Sequence, residues 1–527
     1  MVSPWRRIFG SPYIWIGVIA SGLYVLLLPR HPVGYFSDDA LYILGAKSLL
    51  SGRYAALQLP GHPPLNVPFP GFSFFLAPFV FLAEPHWDWL KGLSILLTLS
   101  SAYLIWKLSE PWLKPGPRVA ALLLFAFNPE VAAASTTVMS EPCFIFFSLS
   151  VLFLLSRLPQ HPRPAQYVFL GILLGWAALM RPSGIALFLA VGLGLAVSKS
   201  WRTFARVMPI AFVIWAAYLL RNVWVTHSAT GYLQQLEDNA PLRWSNLGNL
   251  WTHGSFLARA AVLQTLWGMP LGSTGIEGKI FRTFMTILGL GLSICGALHI
   301  GRQDKVNPAG VAMEAFCVIY FGMHLFWPAF QPRYILPLQP FLGMFILSGV
   351  QLWMQLRNPV FLLAACLTFV GYWQGNRALI REANIFQVRA GPEHQAYQWI
   401  RENLPEKSFI LAANSSELTL YTGRYAIGFV AVKDGVELHQ WMMNHGAAYL
   451  LCRSASLLMV QAEQTVNDPN IFWRRVPVWA ESSKGLFQKI YDVPHDATTI
   501  YAIRSPSGTL REPSTEEVAK SGVDNGT

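Results

Sequence analysis

The sequence predicts an all-α, multi-span transmembrane bundle of about eleven spans followed by a small extracytoplasmic α/β domain. Three observations predict it. Mean hydropathy is +0.38 and charged residues are 13% of the 527, about half the share of a soluble domain. Apolar runs long enough to cross a bilayer recur from Ile14 to Trp373. They are uniformly apolar rather than alternating, so they suit helices, which satisfy their own backbone in lipid, and not barrel strands. Beyond residue 376 the pattern changes to short alternating and amphipathic segments.

The spans fall at 12 to 29, 89 to 108, 118 to 135, 141 to 156, 166 to 180, 183 to 198, 206 to 225, 281 to 300, 309 to 329, 335 to 356 and 359 to 374. Residues 71 to 85, apolar but short and carrying Pro78, are read as a juxtamembrane or re-entrant helix. With that reading Arg6 and Arg7, Lys107, Lys114 and Arg118, Arg157 and Arg163, Lys199, Arg202 and Arg206, Arg302 and Lys305, and Arg357 share one side. Positive residues concentrate in cytoplasmic loops, which makes that side the cytoplasm. The opposite face receives a long first loop (30 to 88), a second (226 to 280) and everything after about Asn376.

The domains are therefore 1–375, transmembrane; 376–505, extracytoplasmic α/β; and 506–527, a polar tail poor in aromatics and read as disordered. Within the second, PEHQAYQWIREN is an amphipathic helix, Phe409 to Ala413 a strand, and GVELHQWMMNHGAAYLLCR repeats helix then strand. The net charge of +11 reads as membrane orientation, with no nucleic-acid partner. Five scattered cysteines without a CxxC pair exclude a disulfide framework and a cysteine metal site. The first apolar run reads as an uncleaved span.

FSDDALYILGAKSLLSGRY, residues 36 to 54, places Asp38 and Asp39 just beyond the first span. Ser37 followed by two acids also suits a helix start, with the acids complementing the helix dipole. An acid at the hydrocarbon boundary is costly unless paired or useful. The same face holds His62 in GHPPLNVP, Glu141 in TTVMSEPCFIFF, Arg181 in LMRPSG, Arg221 in LLRNVW, and Arg333 and Tyr334 in QPRYILP. Arg181 and Arg221 also suit side chains that snorkel to headgroups, Glu141 a helix cap, and His62 a plain loop histidine.

The order of these motifs resembles the GT-C class of polyprenyl-phosphate-sugar-dependent glycosyltransferases, such as the protein O-mannosyltransferases, the lipid A aminoarabinose transferase and the RgtA/B/C/D-like group. The resemblance covers about residues 10 to 375 and, more loosely, the C-terminal domain. It implies that Asp38 is the catalytic base, that Asp39 orients a substrate or cation, and that Glu141 is the second acid. Members often carry Asp-Glu where this chain has Asp-Asp, and Lys where it has His62.

A sugar on polyprenyl phosphate already has a good leaving group. Transfer then needs an activated hydroxyl and fixed cations for the departing phosphate. Attack opposite the leaving group gives a single displacement with inversion. Arginine grips two phosphate oxygens with its planar fork, which favours Arg333, then Arg181 and Arg221.

The expected partners are a polyprenyl-phosphate-sugar donor, a lipid, glycan or protein acceptor, and the membrane. No cofactor is required, and a divalent cation at Asp38 and Asp39 stays open, although hard cations want more oxygens than these two supply. The location expected is the bacterial inner membrane, because no retention signal ends the chain. Two other classes stay open. A secondary transporter predicts midplane charges and related halves, of which the sequence has few or none; a non-catalytic polyprenyl-lipid-binding protein predicts no sugar transfer.

Overall fold

Lipid offers a helix no outside partner for its backbone, and in the described residues each of the eleven apolar runs is helical over most of its length. The computed structural model describes residues 11–159, 161–232, 247–267, 276–303, 307–327, 331–353, 359–389, 391–428, 430, 432–453, 469–483, 485–493, 498–505 and 509–510. The tail expected to be disordered lies almost wholly outside them. Chain contacts divide the molecule into two units: Met1–Arg30, Asn66–Phe72 and Pro85–Asn384, and then His31–Leu65, Ser73–Glu84 and Ile385–Thr527.

The early helices are α1 (Pro12–Leu27), α2 (Asp38–Leu50), α3 (Pro70–Ala83), α4 (Trp89–Leu108), α5 (Pro115–Ala126), α6 (Pro129–Ser135) and α7 (Ser140–Ser156). There follow α8 (Pro164–Met180), α9 (Gly184–Val197), α10 (Trp201–Thr226), α11 (Leu247–Trp267), α12 (Ile276–Gln303) and α13 (Pro308–Leu325). A 3-10 helix, Pro332–Leu338, leads into α14 (Gln339–Trp353), and α15 runs from Pro359 to Arg389. Among the described residues six segments are long and apolar enough to cross a membrane, or seven if α5 and α6, bent by 53°, form one span. Exposed Val18, Ile19, Phe212, Val213, Phe284 and Ile287 give these helices lipid-facing surfaces. The chain is an integral membrane protein.

The first unit departs from the sequence reading in two places. The run at 118 to 135 is not one helix: it breaks at Phe127 and Asn128, and Pro129 starts α6. Asn128 is fully buried; its side-chain oxygen accepts from Glu130 N–H, while its amide donates to the Gln264 carbonyl (2.7 Å) and to Tyr372 Oη (3.1 Å). The stretch 226 to 280, expected as a loop, contains α11. Leu257, Ala260, Val262 and Leu263 of α11 are buried, as are Gln264 and Thr265. Its scattered Asn, His, Arg, Thr and Gln hide it from a hydropathy reading; Thr265 and Arg259 bond back to Ala261 and Ser255 of the same helix, and His253 Nε2 lies 3.2 Å from the His324 carbonyl of α13.

Membrane helices associate without a hydrophobic drive and approach closely through small residues. Where α12 crosses α14, a Cβ on Gly296 would overlap the Phe345 carbonyl, and one on Gly349 the Leu292 carbonyl. Gly349→Val should therefore part the two helices and cost about 1–3 kcal/mol, read as a lowered unfolding temperature in detergent; an unchanged midpoint would show that the crossing tolerates a side chain.

The second unit holds α2 and a five-stranded sheet: β1 (Phe409–Ala412), β2 (Tyr425–Ile427), β3 (Tyr449–Arg453), β4 (Phe487–Val493) and β5 (Thr498–Ile503). Strand order is β2-β1-β3-β5-β4, with β1 parallel to β2 and β3 and β5 antiparallel to β3 and β4. Alternation along β1 feeds two cores: Phe409 and Leu411 meet Leu450, Met442 and Val476 on one face, and Ile410 and Ala412 meet Ile400, Leu418 and Leu451 on the other. Helices α16 (Gly391–Asn403) and α17 (Ser415–Thr422) cover the second face, and α18 (Gly435–Asn444) and α19 (Pro469–Ser482) the first. The strand and helix pairs read from the sequence at 409, 435 and 449 are present.

Candidate active site

The turn before α2 presents the acidic pair. Ser37 does not cap the helix: its φ is +62° and its side chain makes no cap hydrogen bond. Asp39 holds the turn instead. It is 1% exposed, and its two carboxylate oxygens accept N–H bonds from Gly34 (2.8 Å) and Ala40 (3.0 Å). Asp38, one residue earlier, is half-buried at the first position of α2.

The wall of this turn comes from α17, nearly four hundred residues later. Tyr421 Oη donates to the Val33 carbonyl (2.9 Å), and the Asn414 amide donates to the Tyr35 carbonyl (3.4 Å) and to Glu417 Oε2 (3.0 Å). Glu417 is buried against Gly34, where any Cβ would overlap its side chain. Asn414, Glu417 and Tyr421 are thus positioning residues that the sequence reading missed; nothing in ANSSELTLY marks them apart from an ordinary short helix.

Burial pushes the Asp39 carboxyl up to about 7; the Gly34 and Ala40 N–H groups oppose this, and nearby Glu417 and Asp38 add to it. A carboxyl raised in the fold supports stability fully below its unfolded value near pH 4, and that support disappears as pH climbs through about 7. The loss is on the order of 4 kcal/mol, from about 1.4 kcal/mol per pH unit. The unfolding temperature should fall between about pH 5 and pH 8, and Asp39→Ala should flatten that slope. An equal slope in the variant would assign it to another group.

His62 lies in the same unit, within a loop whose Ala55 and Pro64 form a bridge. This loop covers the sheet edge: the Gln58 carbonyl accepts from Ala426 N–H of β2 (2.8 Å). The His62 ring stands edge-on to Tyr425 at 5.7 Å, and burial, with Arg53 second, holds its pKa below the ordinary value. That environment favours neutral imidazole over a phosphate-binding cation.

In the first unit a second group assembles from three separated stretches. Glu141, at the start of α7, is 2% exposed. Arg181, just past α8, pairs with its Oε1 at 2.7 Å, and Arg333 of the 3-10 helix lies 3.8 Å from the same oxygen. Arg181 also donates to Ser140 Oγ (3.4 Å), and Arg333 donates to Gln331 Oε1. Both guanidinium groups lie over the Tyr334 ring, at 5.8 Å and 5.6 Å. Tyr320 Oη donates to the Tyr334 carbonyl (2.8 Å), anchoring the turn beneath.

Glu141 Oε1 thus faces both guanidinium groups, and among the described residues Glu141 Oε2 has no hydrogen-bond partner. Arg221 stands outside this group: among the described residues the ion-pair partners of Glu141 are Arg181 and Arg333, whereas Arg221 donates to Asn222 Oδ1 on its own helix (2.9 Å). Four of the expected residues thus come together (Glu141, Arg181, Arg333 and Tyr334), and Asp38, Asp39 and His62 belong to the other unit. No group of three His, Cys, Asp or Glu side chains with metal-holding geometry occurs among the described residues.

A membrane helical bundle followed by a small mixed sheet is the GT-C type of fold, and solved structures agree. ArnT from Cupriavidus metallidurans bound to undecaprenyl phosphate superposes with a TM-score of 0.56 at 13% identity, over 97% of this chain and 100% of that one. The Archaeoglobus fulgidus oligosaccharyltransferase tethered with an acceptor peptide gives 0.55 at 13% identity, over 98% and 78%. The archaeal oligosaccharyltransferase AglB from Archaeoglobus fulgidus, in complex with an inhibitory peptide and a dolichol-phosphate, gives 0.54 at 12% identity, over 98% and 77%. At such identities the likeness speaks for the fold. In sequence, residues 62–225 match the family described as dolichyl-phosphate-mannose-protein mannosyltransferase. No curated protein sequence matches the chain.

Proposed function

We propose that this protein is a membrane glycosyltransferase that moves a sugar from a polyprenyl-phosphate donor to an acceptor outside the cytoplasm. The observation that carries the reading is the Glu141 centre, whose two arginines, one carboxylate and aromatic floor sit in a fold shared with transferases solved with undecaprenyl phosphate and dolichol-phosphate. Arg333 and Arg181 bind the donor phosphate, and Glu141 holds their forks in place.

Asp38 is the general base. Its carboxylate takes the acceptor hydroxyl proton as the oxygen bonds to the anomeric carbon. The bond from that carbon to the phosphate oxygen breaks, its electrons leave with the polyprenyl phosphate, and the sugar inverts. Asp39 acts through the turn that aims Asp38. Bacterial inner membrane is the proposed location, with Asp38 outward.

Purified protein given a radiolabelled polyprenyl-phosphate sugar and envelope extract should transfer label. Binding of donor with no label moved would instead favour a non-catalytic lipid-binding protein. A cysteine placed at position 38 should react with an impermeant maleimide in intact cells, and protection there would reverse the orientation.

A further inference from the structure

A run of chain without any acid extends from Pro142 to Leu236. Within it, the start of α8 and the turn joining α9 to α10 enclose a cavity of 630 Å³, a size that accommodates a small headgroup. His161, Tyr167, Lys199, Ser200, Arg202 and Arg206 line it, and no carboxylate does. Among the described residues none of its three cations forms an ion pair. Arg206 is set in place by stacking over Tyr167 at 4.9 Å, and Lys199 sits at φ +56°, which turns the chain sharply before α10.

Positive residues at the cytoplasmic ends of spans are an ordinary orientation signal. A concave arrangement with one guanidinium held over an aromatic ring goes beyond that signal. The surroundings are those of a bilayer: Trp201 of the cavity wall is 58% exposed, and Val168, Phe169 and Val197 beside it are exposed too. Acyl chains can lie along these side chains while a phosphate enters the cavity.

We propose that this cavity is a binding site for the phosphate headgroup of an anionic phospholipid in the leaflet at the basic ends of α8, α9 and α10. Lys199 and Arg202 supply charge, and Arg206 supplies a fixed fork for two phosphate oxygens. The site is separate from the Glu141 centre and does not depend on the proposed transfer reaction.

Native mass spectrometry of the full chain tests it, with phosphatidylglycerol and phosphatidylcholine as probes. The wild type should retain phosphatidylglycerol selectively. Each cation removed should weaken retention about fivefold, and K199Q/R202Q/R206Q together about a hundredfold, at about 1 kcal/mol per basic residue. A matched control outside the cavity, K107Q/K114Q/R157Q, should lose little; an equal loss there would show diffuse attraction and overturn the site.

Inorganic phosphate that displaces the lipid at stoichiometric concentration would assign the cavity to a free anion instead. A photoreactive phosphatidylglycerol added to the unmodified chain removes any dependence on how the variants fold. Adducts within 161–206 support the proposal, and adducts confined elsewhere defeat it.

Discussion

Asp38→Asn should bind the lipid-linked donor as the wild type does and transfer sugar about a hundredfold to ten-thousandfold more slowly, the range that a general base contributes. The substitution keeps size and hydrogen-bonding capacity while removing the group that accepts the acceptor proton. Asp39, one residue on, makes the two backbone bonds that hold the turn, and Asp38 leaves them intact when replaced. Stability should therefore stay near wild type, so lost transfer would report chemistry. Turnover within a factor of a few would remove Asp38 from the role of base, and donor binding lost together with turnover would give it a substrate-holding role.

Glu141→Ala should be the most destabilising single change in the first unit. Its carboxylate faces Arg181, whose side chain is 10% exposed, and Arg333, at 21%. Removing the acid leaves two like charges beside each other with little water, a loss of about 3–5 kcal/mol. The measurement is thermal or denaturant unfolding of the reconstituted protein. The paired variant Glu141→Leu/Arg181→Met removes both ends of the shorter ion pair, and replacing a buried pair by apolar groups of similar volume is often neutral.

That double variant should recover much of the stability and still bind the polyprenyl-phosphate donor poorly, because one phosphate-binding fork is gone. Recovered stability with unchanged donor affinity would make Arg181 a structural residue only. The two readouts separate the ion pair that holds the fold from the cation that holds the ligand.

Helices in the bundle were legible because their cause is local. A long apolar segment in lipid must bond its own backbone, whatever surrounds it. The apolar run from Phe409 and the helix-then-strand pattern from Gly435 to Arg453 are equally local, and these strands follow from them. Residue types in the site were legible too: carboxylates and arginines near span ends are costly without a partner or a task.

The partners themselves depend on where distant segments arrive. Glu141 meets Arg333 across nearly two hundred residues, and Gly34 meets Glu417 across almost four hundred. Neither spacing carries a period that sequence can be searched for. The same cause hid α11, whose polar side chains look loop-like until Asn128 and Tyr372 bond its Gln264 and Thr265 carbonyls. It also hid the break at Asn128, where Pro129 has no N–H to give and Tyr372 Oη and the Asn376 amide donate to the Leu124 and Phe127 carbonyls.

Sequence by itself thus determined that this chain is a membrane protein of many helices ending in a small sheet, and that acids and arginines stand at the ends of its spans, because hydropathy and residue chemistry act at short range. Tertiary structure alone decided which acid holds a turn, which two arginines share Glu141, and which cations line a cavity. Those outcomes depend on the path of the backbone through space, and an ion pair or a buried hydrogen bond forms only where that path closes to within about 3 Å.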